Sequence, residues 1–266
     1  MYKRILTWSI VFLLCHTVMA TSFVTGSMSF DVLNEKEHTV SLTTCWLNND
    51  TLQIPEFVEW KEQRFCVVSI ASYAFKDCKM LKVLLIPKSC ESISISALNH
   101  CYRLENIYVE QGNATYCDVD GVLFSKDMNT LYDYPCGKEN TRYKVPDGVV
   151  CIADHAFTHS ENLQEVDLPQ SLTKIGNAAF VGCHSMASVT LPAQITSLGK
   201  FAFYDCNKLM TVIIMGNLTL RSEDHTFSYY TYKYGKVIIN GPSTAQTTEK
   251  YKKIGFSTIE YLNTQQ

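Results

Sequence analysis

The chain has 266 residues, 46% of them apolar, and carries 23 Lys and Arg against 26 Asp and Glu for a formal charge of -3. That apolar share supports a sizeable core and excludes a disordered chain, and the slight acidity argues against nucleic acid as a partner. The start reads as an export signal: Met1-Tyr-Lys-Arg4 is basic, residues 5–15 are apolar, and Val18-Met-Ala20 offers small residues for cleavage after Ala20. The apolar run is too short to cross a membrane, and no later stretch is long enough, so the mature chain is expected to lack a transmembrane segment. A lipid on Cys15 is disfavoured by the bulky Leu14 before it.

After the signal, Ser29-Phe-Asp-Val-Leu33 and Thr39-Val-Ser-Leu42 flank Asn34-Glu-Lys-Glu, the pattern of a hairpin placed to close an open solenoid end. Residues 21–66 are therefore expected to form an N-terminal cap and first coil, with an excursion through Trp60 and Phe65. A repeating unit begins at Ile70. Its landmarks are Ala74-Phe75 with Cys78, Ala156-Phe157, Ala179-Phe180 with Cys183, and Ala202-Phe203 with Cys206. Ile70 to Ile93, Ile152 to Ile175 and Ile175 to Leu198 are steps of 23 residues, and self-similarity at such a period predicts stacked coils. Six residues before the aligned positions stand Pro87, Pro146, Pro169 and Pro192. In front of the prolines, Leu84-x-Ile86, Val166-x-Leu168 and Val189-x-Leu191 alternate as half-buried strands do. Proline ends each strand because it has no N–H to donate.

The regular step breaks between Ile93 and Ile152. Repeats are read over residues 67–109, a β-hairpin insertion over 110–144 from its Asp120-Gly121 and Lys126-Asp-Met-Asn129 turn signals, and repeats again over 145–241. At the C-terminal end Val237-Ile-Ile-Asn240 predicts a strand. Residues 244–254 predict a helix capped by Ser243 or Thr244 and stopped by Gly255, and Ser257-Thr-Ile-Glu-Tyr-Leu262 follows it. Residues 242–266 form the expected C-terminal cap, and residues 21–266 are expected to be a single domain.

The unit Ile-x-x-x-Ala-Phe-x-x-Cys-x-x-Leu-x-x-Val-x-Leu-Pro resembles the BspA-like class of leucine-rich repeats, the Treponema pallidum type, over about residues 52–241. The resemblance implies a right-handed leucine-rich repeat solenoid with short parallel strands on a concave side and small helical turns between them. It also implies a secreted or cell-surface protein, and some members are adhesins.

Ten cysteines follow the signal. Cys78, Cys101, Cys183 and Cys206 share one repeat position, which points to buried thiols packing as small apolar groups. Cys117 and Cys136 are the pair best placed for a disulfide. His155 and His159, four apart, have the spacing of a metal pair on a helical face, but no further ligand accompanies them. Asp118-x-Asp120-Gly121 resembles the start of a calcium loop, yet Asn129 stands where the closing glutamate belongs, so a turn is expected. No phosphate loop, nucleophile elbow or zinc-protease helix is present in the sequence, and neither a cofactor nor enzymatic activity is expected. Three sequons begin at Asn49, Asn113 and Asn217.

What remains for function is the outward side of the ladder strands. Two and four positions after each ladder leucine stand Val83 and Leu85, Asn106 and Tyr108, Glu165 and Asp167, Ser188 and Thr190, and Thr211 and Ile213. Their chemistry varies where the inward positions do not, as a side-chain display on a rigid scaffold requires. A non-enzymatic, adhesin-like binding protein for an extracellular protein or glycan is expected, with Tyr229-Tyr230-Thr-Tyr232-Lys-Tyr234 a second candidate patch. The rival readings are an envelope scaffold without a soluble ligand and an enzyme using Asp118 and Asp120 in the insertion.

Overall fold

The computed structural model describes residues 21–218 and 220–262, so the expected export signal lies outside them. The chain opens on an antiparallel meander, β1 (Ser22–Thr25), β2 (Met28–Asn34) and β3 (Thr39–Cys45), which contains the hairpin expected there. The first ladder strand, β4 (Thr51–Gln53), precedes a tight hairpin of β5 (Phe57–Trp60) and β6 (Gln63–Ile70). Lys61 and Glu62 turn it with φ of 49° and 62°, the primed geometry that matches the twist of two strands. β6 pairs antiparallel with β5 on one side and parallel with β3 on the other. The cap's antiparallel sheet thus leads directly into stacked coils.

Each coil then contributes a ladder strand and a short bridge. In the first half these are β7 (Val83–Ile86), β8 (Ser92–Ile93) and β9 (Asn106–Val109). β4, β7 and β9 pair in parallel, and β8 pairs with the end of β6. Alternation puts Leu84, Ile86 and Ile107 inside while Val83, Leu85 and Tyr108 stay at least partly exposed.

The insertion is a meander of β10 (Tyr116–Val119), β11 (Val122–Ser125) and β12 (Thr130–Asp133). It is shorter than residues 110–144 suggested. β12 already serves as the first bridge of the second half, since Leu131 pairs with Ile152 of β14 (Cys151–Ile152). Between them β13 (Arg142–Lys144) pairs in parallel with β15 (Glu165–Asp167). β16 (Lys174–Ile175) and β18 (Ser197–Leu198) extend the bridge row, and β17 (Ser188–Leu191) and β19 (Thr211–Ile214) the ladder.

The expected helical turns are tight turns instead. His155, Ala178 and Phe201 have φ of 62°, 52° and 59°, and His159, Gly182 and Asp205 repeat the feature four residues later with φ of 59°, 73° and 59°. Two left-handed residues per turn preclude a helix. The coils come very close here: a side chain on Gly199 would run into the backbone of Gly176 and Asn177, so only glycine fits. Along the same edge Asp154 accepts from the Asn177 backbone N–H at 2.8 Å, and Asn177 Oδ1 accepts from the Lys200 N–H at 2.9 Å.

The C-terminal cap is α1 (Tyr229–Tyr234), β20 (Lys236–Ile239), α2 (Ala245–Ile254) and β21 (Thr258–Tyr261), with β19, β20 and β21 in parallel. Thr244 caps α2 by accepting from the Thr247 N–H at 3.0 Å, and Gly255, at φ 122°, ends it.

The apolar interior falls into two clusters. One includes Phe30, Phe65, Phe75, Leu84, Ala97, Leu104 and Leu123; the other begins at Val122 and Phe124 and runs to Phe256. β11 therefore belongs to both cores. In the second core the rings form a file: Tyr134 on Phe157 at 5.0 Å, Phe157 on Phe180 at 4.7 Å, Phe180 on Phe203 at 4.9 Å, and Phe203 on Phe227 at 5.4 Å. Phe75 is equally buried but lies in the first core, outside that file.

All ten described cysteines are free. The pairing of Cys117 with Cys136 does not occur: Cys117 Sγ donates to the Ser125 carbonyl at 3.2 Å and Cys136 Sγ to that of Cys101 at 3.4 Å. The repeated thiols are buried as expected, and each donates to a carbonyl of the coil before it: Cys78 to Cys45 at 3.2 Å, Cys101 to Phe75 at 3.8 Å, Cys183 to Phe157 at 3.1 Å and Cys206 to Phe180 at 3.0 Å. Burial pushes the Cys101 thiol up to about 12, which suits a proton donor and not a nucleophile.

Candidate functional site

The outward ladder residues line up by backbone pairing. Val83 lies opposite Asn106, Leu85 opposite Tyr108, Ser188 opposite Thr211 and Thr190 opposite Ile213. Glu165 and Asp167 pair instead with Arg142 and Lys144, two cations that the sequence reading left out of the face. The Arg142 guanidinium makes two hydrogen bonds to Asp167 Oδ2, at 3.0 and 3.1 Å, and lies 3.5 Å from Glu165 Oε2. The two acids are thus partly neutralised across the strand. Lys236 reaches Glu260 in the same way at 3.0 Å.

The row is broken between β15 and β17, which do not pair, and more deeply by the insertion. Between β9 and β13 the β10–β11 turn sits on the ladder, with the Ile107 N–H donating to the Gly121 carbonyl at 3.0 Å. Lys138 Nζ donates to Asn106 Oδ1 at 3.2 Å and to the Asp120 carbonyl at 2.8 Å. Asn106 therefore holds the insertion in place and is taken up internally. Asp118 does likewise, accepting from the Val109 N–H at 2.7 Å. Leu85 and Tyr108 share a hollow of about 210 Å³ with Gln53 and Glu110, and Tyr108 is 44% exposed. On the other side of the break Ser188, Thr190, Thr211 and Ile213 present a small, largely uncharged strip.

Of the tyrosine cluster, Tyr229, Tyr230 and Tyr234 are exposed, while Tyr232 packs edge-on against Phe227 and Phe256. Lys233 lies over the Tyr229 and Tyr234 rings at 5.2 and 5.1 Å. Among the described residues no group of three or more His, Cys, Asp or Glu converges to hold a metal. His155 and His159 sit in left-handed turn positions and share no helical face. No described helix is long and apolar enough to cross a membrane.

By sequence, the BspA type leucine rich repeat region matches residues 59–125 and 131–253 in six copies. The chain belongs to the BspA-type leucine-rich repeat family. In fold this BspA-type chain is similar to a leucine-rich repeat protein from Eubacterium ventriosum, with 15% identity, 90% of this chain and 85% of that chain covered, and a TM-score of 0.59. It is also similar to the pneumococcal vaccine antigen PcpA, with 15% identity, 92% and 99% covered, and a TM-score of 0.52. No curated protein matches the chain in sequence. The family supplies a repeat-built scaffold for protein interaction, and no catalytic family is indicated.

Two features of this BspA-type chain escaped the sequence reading. Asn113 is buried: its Nδ2 donates to the Pro87 and Cys90 carbonyls at 3.0 and 2.9 Å, and its Oδ1 accepts from the Thr115 and Tyr116 N–H groups. A glycan on that nitrogen is incompatible with this fold, whereas Asn49 and Asn217 are exposed. The second feature is a cleft at the seam between the two cores, centred on Asp133. Its signal was present in the sequence, because Asp133-Tyr134 stands 23 residues before Ala156-Phe157.

Proposed function

We propose that the chain is exported and acts as a non-enzymatic, adhesin-like protein that holds an extracellular protein or glycan on the outer side of its ladder strands. One observation carries this reading: outward side chains that are matched in register differ from coil to coil, while their inward neighbours keep to Ile, Leu and Val. Packing fixes the inward set, and nothing in packing requires the variety outside. The two stretches of face, Leu85 with Tyr108 and Thr190 with Ile213, lie on either side of the β10–β11 turn and would grip a partner at two places. Tyrosine at the first and small side chains at the second suit a contact built from one aromatic anchor and a closely fitting strip.

The test is capture on a glycan array and on surface proteins, using the purified protein, Tyr108→Ala and Thr190→Arg. Both variants should lose at least tenfold in affinity for whatever the parent protein captures, with thermal melting unchanged. If both bind as the parent does, the outer side of the ladder is not the binding face.

A further inference from the structure

Asp133 occupies the alanine column of the repeat. Ala74, Ala97, Ala156, Ala179 and Ala202, its counterparts in other coils, are at most 1% exposed and leave room for the next coil. The backbone keeps to the pattern, with the Tyr134 N–H donating to Ala156 O as the Phe157 N–H donates to Ala179 O. A carboxylate at this place cannot pack against the coil of Leu98, and the two halves part here. The result is a cleft of about 230 Å³ floored by Asp133 and Tyr134 and walled by Leu98 and Leu104. Tyr102 and His159 meet edge to face at its mouth at 5.6 Å, and His100 Nδ1 holds the Tyr102 hydroxyl at 2.8 Å. A smaller hollow on the far side is also lined by Leu98 and Asp133.

The cleft holds unsatisfied polar groups. Among the described residues the Asp133 carboxylate has neither a hydrogen bond nor an ion pair, and the buried Tyr134 hydroxyl has no partner. The nearby carboxylates are already engaged: Asp154 accepts from Asn177 Nδ2 at 3.0 Å as well as from its N–H, and Glu161 faces His184 at 3.7 Å. An unpaired carboxylate in a half-apolar cleft with aromatic rings at its mouth is the complement of an organic cation. A metal ion needs more oxygen, nitrogen or sulfur ligands than converge here. We propose that the seam cleft binds one alkylammonium or guanidinium group, which pairs with Asp133 while its apolar stem lies against Leu98 and the Tyr102 ring.

Burial alone lifts Asp133 to about 8, so a cation must displace its proton at neutral pH and binding strengthens as pH rises toward that value. The other titratable groups facing it are Tyr132, Tyr134 and Cys136 from its own coil, Tyr116 from β10, His100, Cys101 and Tyr102 from the coil before, and Asp154, His155 and His159 from the coil after. Burial pushes Cys101 and Cys136 up to about 12 and lowers His155, so these three are neutral between pH 7 and 8.

This site lies apart from the ladder face, and its test stands apart from that of the proposed function. Calorimetry on the purified protein would use two probes: agmatine for a free amine, and a blocked pentapeptide Ala-Ala-Lys-Ala-Ala for a basic side chain of a polypeptide. Binding of either should gain about tenfold in affinity per pH unit from 6 to 7 and level off above 8. Asp133→Asn should lose at least tenfold at pH 8, Tyr102→Ala should weaken binding, and Thr190→Arg should leave it unchanged. The probe that binds identifies the source of the cation. The proposal is overturned if neither probe binds, if a norleucine peptide binds as well as the lysine peptide, or if Asp133→Asn binds undiminished while melting as a folded protein.

Discussion

The two halves of the molecule use one repeat to different ends. From Arg142 onward the coils step by 23 residues through Glu165, Ser188 and Thr211, and the rings from Tyr134 to Phe227 stack in one file. Before the seam the coils are interleaved with hairpins, Phe75 stacks on no other ring among the described residues, and Leu98 stands where the next ring would be. Regular spacing thus yields a continuous aromatic spine. Interrupted spacing yields an equally buried core assembled from unlike parts, and the mismatch between the two opens the cleft.

The comparison can be broken most severely at the ring file. Phe180→Ala should cost about 3–5 kcal/mol in chemical denaturation, since it empties a fully buried site. Phe75→Ala should cost about 1–2 kcal/mol less, because no ring contacts are lost with it. Equal losses would mean that the file adds nothing beyond burial. Next is Asp133, whose folded-state value of about 8 lies above the ordinary 3.8. The folded protein keeps a proton that the unfolded chain gives up, so stability from this group is complete below pH 4 and declines as pH rises to about 8. Asp133→Asn should remove that decline and stabilise the protein at pH 8, with little change at pH 4, as followed by thermal melting at both.

A smaller gain is expected at Ser160, which occupies the thiol position 23 residues before Cys183 and buries a hydroxyl without a partner. Ser160→Cys should restore the repeated donor and add about 1 kcal/mol, read from the denaturation midpoint. The smallest effect belongs to Arg142→Ala on the ladder face. Its ion pairs with Glu165 and Asp167 are exposed, so melting should not change, although the face becomes more acidic.

Most of the architecture was legible because one period governs it. Pro146, Pro169 and Pro192, the ladder alternation and the alanine–phenylalanine pairs fix where each coil turns, and Thr244 and Gly255 bracket the last helix. The coil of residues 131–144 was hidden by a shortened turn: Leu131 precedes Ile152 by 21 residues, and Tyr and Asp replace Phe and Ala. The backbone state of the turns is not legible, because left-handed residues such as His155 and Phe201 carry no mark of it in the sequence. Of the candidate face, the register could be counted from the ladder. The capture of Asn106 by Lys138 and the neutralising Arg142 could not, since both depend on how an irregular insertion folds back.

β11 alternates its side chains between two interiors, Leu123 toward one and Val122 and Phe124 toward the other. A pull applied along the length of the molecule would therefore cross the seam through this short strand together with the hydrogen bonds from Cys136 to Cys101 and from Lys138 to Asn106. The strand acts as a rivet joining two stacks, and parting them means stripping both of its sides at once.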